Sequence, residues 1–154
     1  MIDTDLLSQA RAAVEVAQEA IQAGIATAKA SGTADQEQQL VYSLAHAASA
    51  AAMAESALTY AELGEDEARL AHVFIGRQLS ELASMLWARS SDWGVEPSAL
   101  DATRVYAAQV TAPAFVAAAA AAPGSANLPD DLEMVATTFR QFANERVAPH
   151  AEAI

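Results

Sequence analysis

The sequence predicts an all-α protein: an up-down antiparallel bundle of about four helices, with a fifth helix after a linker. Three observations carry this. Apolar residues recur at steps of three and four through most of the chain. Alanine, the strongest helix former, supplies 41 of the 154 residues. No stretch alternates Val, Ile, Thr or aromatic residues with the two-residue period of a strand.

The first segment runs from about Thr4 to Ala30. Leu7, Ala10, Val14, Ala17, Ile21, Ile25 and Ala28 form one apolar stripe, and Arg11, Glu15, Gln18, Glu19, Gln22 and Lys29 mostly take the other positions. Thr4 or Asp5 is placed to cap its free N–H groups. Ser31-Gly32-Thr33 ends it. The second segment opens at Asp35 as cap and runs to about Leu63, with Leu40, Leu44, Ala47, Ala51, Ala54 and Leu58 as its stripe. Gly64 follows and suits the left-handed conformation that closes many helices.

The third segment starts at Glu65-Asp66-Glu67, because negative charge is favoured at the positive end of the helix dipole. Ala68, His72, Ile75, Leu79, Leu82, Leu86 and Trp93 share one face, and Gly94 and Pro97 break the chain. The fourth segment takes Ser98 as cap and Asp101 as the far end of an approximate capping box. It runs from Ala99 towards Ala120, with Val105, Ala108, Ala112 and Val116 on one side. Pro113 lies inside that span, so two pieces are expected. The stretch Pro123-Gly124-Ser125-Ala126-Asn127-Leu128-Pro129 is a linker. Asp130 then caps a fifth helix whose Leu132, Val135, Phe139, Phe142 and Arg146 stem share a face, with Pro149 in or after its last turn. The expected organisation is a bundle over 1–122, a linker over 123–130 and a single helix over 131–154.

Composition excludes several function classes. The chain carries 20 acidic against 8 basic side chains, a net charge of −12. Such a surface repels phosphate backbones and anionic lipid, so neither nucleic acid nor a membrane is an expected partner. There is no cysteine, hence no disulfide scaffold, thiol nucleophile or cysteine zinc site. The start, Met1-Ile2-Asp3-Thr4-Asp5, is acidic with no long apolar run behind it, unlike a secretory signal. The run from Ala112 to Ala122 is too short and too weakly apolar to span a bilayer. A cytoplasmic location is expected.

Residues that could carry chemistry are few. No phosphate-binding glycine loop or nucleophile elbow is present. A helical di-metal site wants Glu three residues before each ligand His. Ser43 and Arg69 stand there before His46 and His72, so His72 reads as a core or boundary histidine and His46 as facing a seam beside Tyr42 and Met53. Glu62, Glu65, Asp66 and Glu67 lack the alternating oxygen donors of a calcium loop, and capping explains them better. Trp87, Trp93, Tyr42, Tyr60 and Phe74 read as space fillers in an alanine-rich core, with an apolar ligand pocket as the minority reading. No catalytic, cofactor-binding or metal residue is assigned.

Leu132 to Glu152, and within it the Phe-Arg-x-Phe-Ala-x-Glu-x-Val-x-Pro pattern from Phe139 to Pro149, resembles the opening helix of flavin-dependent acyl-CoA dehydrogenases. The match covers about the last 25 residues. A long alanine-rich extension before that helix is similar to the branch of the family that serves the ethylmalonyl-CoA route of acetate assimilation. Gly32 to Tyr42 and Asp92-Trp93-Gly94-Val95 are the stretches similar to such an extension. Gly64-Glu65 and the long helix after it are similar to the bundle that closes these enzymes, which implies descent from a duplicated bundle.

The resemblance implies an N-terminal accessory domain and a truncated first helix. The parent would hold FAD and oxidise a short branched dicarboxylic acyl-CoA such as methylsuccinyl-CoA. The flavin site, acyl pocket and catalytic glutamate would belong to later domains, so none is carried over to this chain, and Glu145 is not promoted to a base. No cofactor is expected in the chain itself. Its expected partners are the rest of its own polypeptide and further copies in a homo-oligomer. The competing readings are a free-standing helical protein-interaction module and a helical metalloenzyme.

Overall fold

The computed structural model describes residues 3–32, 36–121 and 127–151, and every described element is helical. The chain divides into two compact units, Met1–Gly124 and Ser125–Ile154. Among the described residues no helix is long and apolar enough to cross a membrane.

The first unit is an all-α bundle built on three long helices, α1 (Thr4–Ser31), α2 (Gln38–Ala61) and α3 (Glu65–Trp93), each packed on the other two. α1 is capped by Asp3, not by Thr4 or Asp5. Asp3 has extended backbone, and its Oδ1 accepts from the amides of Asp5 (3.1 Å) and Leu6 (3.0 Å), whereas Thr4 is already helical. At the other end Gly32 turns left-handed, with φ +66. The expected cap of α2, Asp35, lies outside the described residues. α2 starts after Glu37 without a side-chain cap bond.

Gly64 does not close α2 in a left-handed turn. α2 already ends at Ala61, and Gly64 is extended and begins α3 (φ −179, ψ 175). The connection is three residues, too short for a separate stop and start. A Cβ on Gly64 would run into the carboxylate of Glu67, which folds back over it. α3 ends in a left-handed Gly94 (φ +60), with Gly94 N–H on the Ser91 carbonyl (3.3 Å) and Val95 N–H on that of Ser90 (3.1 Å). These are the paired bonds of a Schellman stop.

The fourth segment is a broken strut. A 3₁₀ helix over Pro97–Thr103 leads into α4 (Arg104–Val110), and α5 (Pro113–Ala121) follows. Ser98 is no cap: Pro97 takes the first helical position, where a missing N–H costs nothing. Pro113 divides α4 from α5 as expected, and the Thr111 hydroxyl donates to the Ala107 carbonyl (2.7 Å) at the break.

The core follows the expected stripes on α2 and α3, whose named residues are all buried. On α1, Leu6 replaces Leu7 as the fully buried leucine. On α4 the expected face is wrong. Val105 is 75% exposed, and Thr103, Tyr106, Ala107 and Val110 are buried instead. The 3₁₀ entry winds three residues per turn, so it shifts the phase that a uniform 3.6-residue period would give.

The second unit holds α6 (Asp130–Phe142), a widened π turn over Ala143–Val147 and α7 (Ala148–Ala151). The Ala148 amide reaches back five residues to the Ala143 carbonyl. Widening the turn just before Pro149 eases the clash of a helical proline ring with the carbonyl four residues earlier. Leu132, Val135, Phe139 and Phe142 lie on α6 as expected, and all remain exposed.

Candidate functional site

A mixed polar and apolar groove of the first unit lies between α3 and the strut. It encloses about 310 Å³. α3 supplies Leu79, Ser80, Ala83 and Trp87 to one wall; the 3₁₀ helix and α4 supply Leu100, Asp101, Arg104, Ala107 and Thr111 among others to the opposite wall. Its close quarters originate at Gly76, where a Cβ would run into Val110 Cγ2 and come within 3.1 Å of Thr111 Cγ2. The missing methyl lets α4 approach the α3 backbone.

The groove's hydroxyls are already committed. Ser80 donates to Gly76 O (2.8 Å), Thr103 to Leu100 O (2.8 Å) and Thr111 to Ala107 O (2.7 Å). Its remaining polar groups are Asp101 and Arg104, of opposite charge. Trp87 is 77% exposed, so it forms a wall of this groove and does not fill the core. Such a site can offer an aromatic face and one fork of N–H donors. It holds no nucleophile with an adjacent base.

The expected space-filling aromatics therefore divide. Trp93 is buried, and its indole N–H has no hydrogen-bond partner among the described residues. Tyr42 is out in solvent. Tyr60 and Phe74 line a shallow apolar trough of about 430 Å³ with Met53 and Leu70, on the α2–α3 seam.

The histidines are separated. His72 is buried in the middle of α3, with Nδ1 2.9 Å from the Tyr106 hydroxyl. Burial holds its imidazole below the usual histidine range, against a smaller opposing pull from Asp3. Burial likewise pushes the Tyr106 phenol far above the usual tyrosine range. His46 is exposed and meets Glu81 across the α2–α3 seam at 3.6 Å. Among the described residues no three His, Asp or Glu side chains converge as metal ligands.

The acidic turn between α2 and α3 is likewise spoken for. Glu62 pairs with Arg11, Glu65 and Asp66 both pair with Arg69, and Glu67 is buried against Gly64. Glu145 accepts from the Gln141 amide (2.8 Å) on an exposed face. The His72–Tyr106 pair was missed from sequence. Tyr106 lies 34 residues from His72, and only the turned phase of α4 aims it inward.

No family model, curated protein or solved structure matches the chain.

Proposed function

We propose that the chain is the N-terminal accessory domain, with the opening helix of the next domain, of an FAD-dependent acyl-CoA dehydrogenase. The substrate class is a short branched dicarboxylic acyl-CoA such as methylsuccinyl-CoA, and the enzyme most resembled is methylsuccinyl-CoA dehydrogenase. The role of this part is structural: it packs on the catalytic part or supports a homo-oligomer in the cytoplasm.

One observation carries the reading. The helix with the Phe139-to-Pro149 pattern keeps Leu132, Val135, Phe139 and Phe142 in a 3-4-3 register, and its own unit buries none of them. Phe139 is 68% exposed and Phe142 57%. A stripe of that kind is made to be covered, and the rest of a larger helical domain would cover it.

The α3–strut groove does not fit a flavin dinucleotide. The pyrophosphate of that cofactor needs converging amides or basic groups. The groove offers one guanidinium, Arg104, opposed by Asp101. No chemical step is therefore assigned to this chain, and the flavin of the proposed enzyme belongs to other domains.

The coding sequence downstream of Ile154 tests the reading. A continuation encoding a sheet domain and a further helical domain is expected, and its product should oxidise methylsuccinyl-CoA with an artificial electron acceptor. The 154-residue chain alone should purify colourless. An immediate stop codon would overturn the proposal and leave a free-standing helical interaction module. Flavin bound to the chain alone would overturn the purely structural role.

A further inference from the structure

One titratable side chain touches both pieces of the strut. His72 is 2% exposed, and its Nδ1 lies 2.9 Å from the Tyr106 hydroxyl of α4. The Tyr106 and Phe115 rings both stand edge-on to the imidazole, with centroids 6.0 Å and 6.4 Å away; Phe115 belongs to α5. One turn further along α3, Gly76 accepts Val110 and Thr111 against the helix backbone. Elsewhere the strut is mostly alanine. Ala107 and Ala119 are its other buried apolar residues beyond Leu100, so few large anchors hold it.

We infer that His72 is an acid-operated latch: protonating its imidazole releases α4 and α5 from α3 and opens the groove whose far wall the 3₁₀ helix and α4 form. With its proton on Nε2, the neutral ring accepts the Tyr106 O–H at Nδ1. A proton placed there removes the acceptor and makes both ring nitrogens donors. The Tyr106 oxygen could then accept from Nδ1–H only by turning its own hydrogen away. The Tyr106 hydroxyl makes no other hydrogen bond among the described residues, so turning that hydrogen away gives up the bond it makes as a donor. The new charge also sits among apolar rings.

The groups that face His72 do not offset this. Asp3, at the start of α1, favours the charged form, but it lies at the surface and its Oδ1 is taken by two backbone amides. Tyr106 stays neutral, and α5 presents only Phe115. On α3 itself, Arg69 one turn earlier is already positive and engaged with Glu65 and Asp66. The latch is therefore closed at neutral pH and opens below the ordinary histidine range.

Hydrogen exchange on the full chain, followed by mass spectrometry at about pH 7.5 and about pH 5 and corrected for intrinsic rates, tests this. Peptides from 97–121 should lose protection by about tenfold or more at the lower pH, while those within α1 and α2 keep theirs. His72→Gln keeps an acceptor for the Tyr106 hydroxyl but takes no proton, so the loss should vanish. Tyr106→Phe removes the donor that favours the neutral ring, so the loss should begin at higher pH. Flat protection of 97–121 in the natural sequence would overturn the latch. So would an acid loss that survives in His72→Gln. Should His72→Gln fail to fold by circular dichroism, an unmoved onset in Tyr106→Phe would overturn it.

Discussion

Gly76 has no Cβ, and Val110 occupies the place where one would stand. Gly76→Ala should therefore push α4 outward instead of merely stiffening α3. The expected loss is about 1–3 kcal/mol, the usual cost of overpacking a filled core, read as a lower urea midpoint. The gain in helix propensity is smaller, about 1 kcal/mol, so the net sign is destabilising. His72 and Tyr106 set the pH limits of the same seam. The folded-state pKa of His72 lies below its unfolded value, so the unfolded chain binds more protons as pH falls. The His72 contribution is intact above about pH 6.5 and is lost as pH drops through the folded value. For Tyr106 the folded value is raised, so its contribution is intact below about pH 10 and is lost as pH rises beyond it. Urea midpoints across pH should fall on both sides, and His72→Gln should flatten the acid side.

At the scale of the element, helix ends show how local chemistry and chain geometry divide the work. Asp3 caps α1 by accepting two amide bonds, although Thr4 and Asp5 have equally suitable side chains. The backbone turn one residue earlier decided between them. Asp3→Ala should cost about 0.5–2 kcal/mol, and Asp5→Ala less than that, measured as thermal midpoints of the two variants. The strut is the element whose face was hardest to read. Its 3₁₀ entry, the Pro113 break and its many alanines leave little apolar contrast, and a stripe cannot be phased without contrast. α6 is the opposite case. Its stripe is sharp and legible, and its own unit buries none of it.

For the whole molecule, the decisive feature is where the core lies. The main core cluster of the first unit runs from Leu6 to Val110, with Ala119 buried on α5. A chain shortened to 1–124 should keep the cooperative unfolding and the thermal midpoint of the 154-residue chain within a degree or two, since surface changes away from a core cost at most about 0.5 kcal/mol. A large drop in the midpoint would show that residues 125–154 belong to the fold of the bundle. The candidate site was only partly legible at this scale. Trp87 and His72 were both noticed, but one was expected inside and the other had no partner named.

The sequence by itself determined the three long helices, their buried stripes on α2 and α3, and the stops at Gly32 and Gly94. Those properties depend on neighbours three or four residues apart and on backbone conformations that only certain residues adopt readily. Tertiary structure alone decided which face of α4 turns inward, that Gly76 sets the α3–α4 spacing, that Trp87 lines a groove, and that Tyr106 meets His72. Each of these joins residues far apart in the chain, and the distance between two helices is set by side-chain volumes that no single segment contains.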